Sequence, residues 1–184
     1  PVTVTGNFSV SAGASFIYDP TNSAAASTLS FTGSVGQTIT NNGTMTLGQY
    51  STLEIKNANN VTLNTNITTS GVLALTTGQL ITGSNAAIVA AGGTVSRTTG
   101  WVNGNLQKAI AASTSTQAFE IGDANYYAPV TLAFSGSTNG AGNITASTKS
   151  GIATQTQINI SGLNAGKAAD RIWTVTNSGV TSFT

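Results

Sequence analysis

The first hundred residues alternate short apolar runs with short polar turns. The apolar runs are rich in Val, Ile, Leu and Thr, which favour strands. Between them stand Gly and Asn, which tolerate a positive φ or bond their own backbone in turns, as in Asn41-Asn42-Gly43. The pattern predicts closely spaced strands at 2–5, 7–10, 27–31, 37–40, 44–47, 52–55, 61–63, 71–75, 79–82, 87–89 and 94–95.

The spacing of these strands, roughly 8 to 12 residues, is typical of sandwiches, barrels and solenoids. Self-similarity favours a solenoid, because 43–47 (GTMTL) resembles 71–75 (GVLAL) and another short apolar strand follows each. Stacked repeats bury their inward side chains in one continuous core and pair each backbone with its neighbour. We therefore expect an all-β fold and a β-solenoid with these inward residues: Leu53, Ile55, Val61, Leu63, Leu73, Leu75, Leu80 and Ile88.

The lengths of the predicted strands change after residue 100. Longer strands are predicted at 126–134 and 142–148, and Pro129 suits an edge or a bulge because it has no N–H group. We expect a β-solenoid repeat region over 1–100 and a β-sandwich-like region over 101–184, with the change at 100–118. Whether the second region is complete at its C-terminus is left open.

Composition adds limits on the class of protein. Charged residues make up 6% of the chain, against about 25% in ordinary soluble domains. The 39% of apolar residues still indicates a folded chain. Six scattered Lys and Arg residues form no stripe that could neutralise a nucleic-acid backbone. No run approaches the ~18 apolar residues of a membrane span. We expect neither a nucleic-acid partner nor a membrane span.

Several segments resemble, in order, a repeat of very large surface proteins from type IX-secreting bacteria. The resemblance begins at 31–39 (FTGSVGQTI) and continues through 53–57, 60–64, 71–78, 80–85, 102–106, 119–123, 127–132, 163–167 and 170–177. Ala128 stands before Pro129 where that family usually has Arg. The resemblance implies secretion, a solenoid that leads into a β-sandwich, and a role in adhesion or as a spacer. It implies no catalytic residue.

Candidate chemistry is sparse because the chain has neither His nor Cys. Of the five acidic residues, only Glu120 and Asp123 lie close in sequence. Two carboxylates could serve a glycosidase, but such a pair more often caps a turn. Asp123 and Asn125 offer only part of a calcium shell. We predict no catalytic, cofactor-binding or metal-binding residue, and no cofactor.

Aromatic and hydroxyl side chains give two further hypotheses. Trp101, Tyr126, Tyr127 and Trp173 could stack on sugars, although Trp173 is expected in the core and only one of the two tyrosines can be buried if they lie in a strand with one wet face. Thr-x-Thr pairs are found on many ice-binding faces, but their irregular spacing here favours ordinary strand positions. The pairs begin at Thr3, Thr38, Thr44 and Thr174.

Composition and resemblance together predict a non-enzymatic extracellular or cell-surface protein, either an adhesin segment or a self-assembling fibre subunit. The alternative is a secreted β-helix protein that binds or degrades polysaccharide. Pro1 is no translation start, so an export signal or an upstream domain is expected to be missing. Predicted strands at 172–177 and 180–183 lack their usual successors, which favours self-association, and glycans are a second class of partner.

Overall fold

The computed structural model describes residues 1–134, 140–151 and 171–181 as an all-β chain. Within these ranges, one short 3-10 helix, Ser23–Ala25, interrupts the succession of strands. No helix in the described ranges is long and apolar enough to cross a membrane. The strands are β1 (Val2–Val4), β2 (Phe8–Val10), β3 (Ser15–Tyr18), β4 (Ser27–Phe31), β5 (Gln37–Asn41), β6 (Thr44–Leu47), β7 (Ser51–Lys56), β8 (Val61–Leu63), β9 (Ile67–Thr69), β10 (Val72–Thr77), β11 (Gln79–Val89), β12 (Thr94–Arg97), β13 (Trp101–Ile110), β14 (Thr116–Phe119), β15 (Ile121–Gly122), β16 (Val130–Ala133), β17 (Gly142–Ser150) and β18 (Arg171–Ser178).

Strands from successive turns of the chain pair in parallel and in register. The first face is the sheet β1-β4-β7-β10-β12. The second face contains β2, β5, β8 and the first halves of β11 and β13, and β15 extends it. On the third face, β3 pairs with β6, and β9 pairs with the second half of β11, which pairs with the second half of β13. The fold is therefore a β-solenoid, which confirms the prediction.

Columns of identical or similar side chains fill the interior of the solenoid. Leu29, Leu53 and Leu73 occupy one column of the first face, because the strands that carry them pair in register. Full burial of such a side chain is worth about 2 kcal/mol. The predicted inward positions Leu53, Ile55, Val61, Leu63, Leu73, Leu75 and Leu80 are all buried, with at most 2% of each side chain exposed.

Ile88 is the one wrong prediction among the inward residues. Ala87 and Val89 are buried in its place, and Ile88 is only partly buried. The cause is an irregularity between Ile81 and Ala86, where the pairing of β11 with β13 shifts register. The shift changes which alternate residues face inward, so the second half of β11 has the opposite phase to the first.

Buried amides join the turns of the solenoid at the corner between its first and second faces. Gln37 and Asn57 are 2% and 1% exposed. The Gln37 Nε2 donates to the carbonyl of Val4 at 3.0 Å, and the Asn57 Nδ2 donates to Gln37 Oε1 at 2.9 Å. Oδ1 of Asn57 accepts the N–H of Asn59 at 2.8 Å. Each turn thus satisfies polar groups of the turn before it, which keeps the corner free of unpaired buried groups.

The pairing changes from parallel to antiparallel towards the C-terminus. Parallel stacking continues across residue 100 into β13 and β15, further along the chain than the expected solenoid region of 1–100. Two antiparallel ribbons, β14–β16 and β17–β18, then form the sandwich-like part. Their buried residues Phe119, Ile144 and Ala146 belong to the same hydrophobic cluster as the solenoid core.

The predicted C-terminal strands are only partly recovered. β18 covers the predicted strand at 172–177, but Val180 and Thr181 lie outside any strand. The predicted run 126–134 contains only β16, which starts directly after Pro129. The segments 163–167 and 182–183, on which sequence expectations also rest, lie outside the described residues.

Candidate functional site

The second and third faces of the solenoid separate at Gly104, in the middle of β13. Before this glycine, β13 pairs with β15, and after it β13 pairs with β17. Gly104 has φ +120°, and a Cβ at this position would collide with Oγ1 of Thr82. The chain therefore needs glycine here to bend, and β17 projects straight on while β13 turns away.

The projecting end of the β17–β18 ribbon docks on the turn that follows β15. Nη2 of Arg171 lies 2.7 Å from Oδ2 of Asp123, and the two side chains are 13% and 12% exposed. Nε1 of Trp173 donates to the carbonyl of Ala128 at 3.1 Å. On the opposite side of the turn, Nε2 of Gln79 donates to the carbonyl of Ala124 at 2.9 Å. The turn is thus fixed from both sides.

Asp123 also shapes the turn from within. Its Oδ1 accepts the backbone N–H groups of Asn125 and Tyr126, both at 2.9 Å. Burial alone would raise the pKa of the Asp123 carboxyl, but hydrogen bonds from the Ser150 hydroxyl, from these two N–H groups and from Arg171 hold the pKa well below its ordinary value. Asp123 is therefore a charged, turn-capping residue at neutral pH, as the sequence interpretation expects.

An open groove of about 800 Å³ lies between this turn and the projecting ribbon. Its floor is the outer side of β13, and its two walls are the turn after β15 and the ends of β17 and β18. Apolar contact area comes from Ile81 and Ile172. The polar side chains that line it include Asn103, Asn105, Asp123, Asn125, Lys149 and Thr174.

Glu120 and Asp123 do not form a carboxylate pair across a shared cleft. Oε2 of Glu120 lies 2.7 Å from Nζ of Lys108, and Glu120 lines a separate, smaller groove. Nζ of Lys108 also donates to the carbonyl of Ala118 at 2.9 Å. Burial lowers the pKa of Lys108, although its contacts with Glu120 oppose this effect. Each carboxylate has its own cation, an arrangement that offers no general acid and base facing one sugar.

Metal chemistry has little support in this part of the chain. In the ranges that the structure describes, no three His, Cys, Asp or Glu residues lie together in a way that could hold a metal ion. Both oxygens of Asp123 are already engaged, one by two N–H groups and the other by Arg171. The fragment of a calcium shell that Asp123 and Asn125 suggest in the sequence therefore serves the turn instead.

The aromatic residues surround the site without forming a common stacking surface. Trp101 donates from Nε1 to the carbonyl of Asp123 at 2.9 Å, and the guanidinium of Arg97 covers the ring of Tyr127 at 3.6 Å. Tyr126 is 65% exposed, so one tyrosine is exposed and the other is covered. The core position expected for Trp173 is wrong, because 42% of this residue is exposed.

The Thr-x-Thr pairs do not stack into one surface. The pairs that begin at Thr3, Thr38, Thr44 and Thr174 belong to β1, β5, β6 and β18 or their immediate ends, and these strands lie in three separate sheets. β5 and β18 share a sheet, but several strands separate them. An ice-binding face needs the same pair at the same point of successive turns, and this arrangement does not provide it.

Comparisons with known proteins leave the site to be interpreted from its own geometry. No protein-family model, curated protein or solved structure matches this chain. The groove was not predicted from sequence, because its walls come from residues far apart in the chain. One part of the site can be recognised from the local sequence. Asp123, two residues before Asn125, is typical of a side chain that caps a turn.

Proposed function

We propose that the chain is a non-enzymatic structural or adhesive segment of an extracellular surface protein. The observation that carries this proposal is the structural use of its few chemically capable groups. Glu54 accepts from Ser30 Oγ at 2.6 Å and from Thr76 Oγ1 at 2.8 Å, so one carboxylate joins three turns of the solenoid. Glu120 and Asp123 are bound in ion pairs. These groups stabilise a long surface and leave little for catalysis.

The low charge of the chain agrees with such a role. The turns are joined by backbone ladders and by amide and hydroxyl side chains, which need no surface charge to pair. Hydroxyl and amide side chains also bind water on the outer faces. Together with the resemblance to surface repeats, this favours an extracellular location.

Self-association is the second part of the proposal. Among the described strands, β1 and β12 are the two edges of the first face, and each pairs with one neighbour. Residues 1–18 contain no charged side chain, and Ile17 in β3 is 69% exposed. Exposed strand edges accept further strands, and the one charged group of β12, Arg97, is bound to the carbonyl of Gly100. A contact of the β12 edge in one copy with a different strand edge in the next would be head-to-tail and would extend into a fibre.

Antibody labelling of intact cells tests the proposed location. The cells that produce the chain should be labelled without permeabilisation, and a periplasmic or cytoplasmic marker protein should stay unlabelled in the same sample. Labelling that needs permeabilisation would contradict the proposal.

A polysaccharide-degrading protein is the competing class, and the open groove is the observation that favours it. Incubation with a panel of extracellular polysaccharides separates the two functions. We expect no release of reducing ends. Turnover that Asp123→Asn or Glu120→Gln abolishes would replace the structural proposal with an enzymatic one, provided that both variants keep the circular dichroism spectrum of the parent.

A further inference from the structure

The groove between the turn after β15 and the end of the β17–β18 ribbon has the properties of a ligand site. Its volume of about 800 Å³ lies within the usual range of small-molecule sites. Its walls are held in place by the Arg171–Asp123 ion pair and the Gln79–Ala124 hydrogen bond. A site whose walls are already fixed loses little entropy when a ligand binds.

The polar groups of the groove are mainly amides and hydroxyls. Nδ2 of Asn103 donates to Gln79 Oε1 at 2.9 Å, and Nδ2 of Asn105 donates to the carbonyl of Asn85 at 3.0 Å. These bonds orient both amides and leave their Oδ1 atoms as acceptors. Asn125 and Thr174, both exposed, add groups that donate and accept. Vicinal sugar hydroxyls need such mixed donors and acceptors.

Charge in the groove favours an acidic ligand. Asp123 is neutralised by Arg171 at 2.7 Å. Lys149 is exposed on β17, and within the described part of the chain it forms no ion pair. Among its described lining residues, the groove therefore carries one uncompensated positive group, which suits a carboxylate.

Other ligand classes fit the groove less well. An added peptide strand needs a run of unpaired edge, and on β13 only Gly104 and Asn105 lack a registered partner on the groove side. The edge of β17 at 147–150 also lacks one, but it faces the turn after β15, to which Ser150 is joined by its hydrogen bond with Asp123. A nucleic acid needs several cations along a track, and among the described residues the groove offers Lys149 besides the paired Arg171.

We propose that this groove binds a segment of an acidic glycan, with Lys149 on a uronate carboxylate, the amides of Asn103, Asn105 and Asn125 on hydroxyls, and Ile81 and Ile172 against the apolar side of a sugar ring. This inference rests on the proposed adhesive function and names the class of its target.

Titration of the purified chain with trigalacturonic acid tests the inference, with galactotriose as the neutral counterpart. Binding is followed by amide chemical shifts in NMR spectra. We expect saturable shifts at Asn103, Asn105 and Asn125 with trigalacturonic acid and at least tenfold weaker binding of galactotriose. Lys149→Ala should weaken acidic binding about tenfold, the loss of one charge-assisted contact. Lys56→Ala, also at an exposed lysine but outside the groove, should have no effect.

A second pair of variants tests the position of the site. Thr174 and Thr176 are both exposed on the same side of β18, but only Thr174 lines the groove. Thr174→Trp should abolish binding, and Thr176→Trp should leave it unchanged. Absence of saturable binding, equal affinity for the two trisaccharides, or binding that survives Thr174→Trp would overturn the inference. None of these results would alter surface labelling of cells, so failure here is distinguishable from failure of the proposed function.

Discussion

Asp123 joins three parts of the chain, two through its carboxylate and one through its main-chain carbonyl. Its two oxygens bind the backbone of its own turn and the guanidinium of Arg171 in the β17–β18 ribbon, and its main-chain carbonyl accepts from Trp101. At the residue scale, the stability of the groove therefore depends on this side chain more than on any sugar-facing group.

Replacement of Asp123 by Asn should distinguish the contribution of the ion pair to stability from that of the turn cap. Asn keeps an acceptor for the N–H groups of Asn125 and Tyr126 but leaves Arg171 partly buried without its anion, which should cost about 2 kcal/mol of unfolding free energy at pH 7. Asp123→Ala should cost more, because the turn also loses its cap. Urea denaturation of the three proteins measures both differences, and equal stabilities would contradict the assigned roles.

The effect of Asp123→Asn should depend on pH. The pKa of Asp123 is lower in the folded chain than its value of about 3.9 in an unfolded one. Its contribution is therefore fully present above about pH 4 and is lost as the pH falls through the folded pKa. The difference in unfolding free energy between the parent and Asp123→Asn should shrink as the pH falls from 5 to 2. A difference that stays constant over this interval would show that the ion pair contributes nothing.

A double-mutant cycle measures how much the buried ion pair Lys108–Glu120 contributes to stability. Lys108 is 6% exposed and faces the core, where its counterpart on β11 is Val89. Lys108→Met should destabilise the chain by about 3 kcal/mol, because Glu120 loses its cation. The double variant Lys108→Met, Glu120→Leu should recover most of this loss, since a buried ion pair is often no more stable than an apolar pair. A double variant less stable than either single variant would contradict this account.

Some features of individual residues could be predicted from the sequence. The turn-capping role of Asp123 follows from its local sequence. The exposure of Tyr126 beside the covered Tyr127 matches the expected division, but that expectation assumed a strand at 126–134, and both tyrosines lie before β16. The exposure of Trp173 could not be predicted, because its neighbours Ile172 and Val175 look like a core strand. Its position depends on the way the ribbon projects beyond Gly104, which only the folded chain determines.

At the scale of elements, the corner amides should matter as much as apolar columns. Asn57→Ala removes the donors to Val35 and Gln37 and the acceptor for the N–H of Asn59. We expect a loss of about 2 to 3 kcal/mol, because buried partners are left unsatisfied. The control Asn59→Ala removes one exposed hydrogen bond to Ser34 and should cost about 0.5 kcal/mol. Thermal or urea unfolding compares the two variants, and equal losses of unfolding free energy would contradict the stabilising role of the buried corner amides.

The phase of β11 gives a second test at this scale. Ala87 is 3% exposed, and Ile88 lies on the outer side of the strand. Ala87→Asp buries a carboxylate between the apolar neighbours Ile67 and Leu106 and should unfold the chain, whereas Ile88→Asp should cost less than about 1 kcal/mol. Circular dichroism at 20 °C distinguishes them. Unfolding by Ile88→Asp alone would mean that Ile88 faces the core, as the sequence predicted.

The existence and spacing of the solenoid strands follow from the sequence because their side chains alternate regularly around Leu53, Val61 and Leu73. The phase shift in β11 does not, because Gly83 with φ +57° and the irregularity after Ile81 have no apolar signature. The groove is hidden from sequence reasoning for a similar reason. It is formed where β15 and β17 both meet β13, and these strands are brought together by the fold alone.

At the scale of the whole molecule, the described solenoid is a stack of turns joined by backbone pairing. The edge of the first face at β12 pairs with one neighbour, so further backbone pairing is open to it. The proposed assembly would use the same kind of backbone pairing that holds one copy together.

The size of the native material shows whether copies of the chain assemble. Protein released from the surface of the producing cells without proteolysis should be examined by negative-stain electron microscopy with antibody against this chain. We expect labelled filaments or larger surface assemblies that contain many copies of the chain. Labelled material found only as single discrete particles, or found only inside the cells, would contradict the proposed assembly.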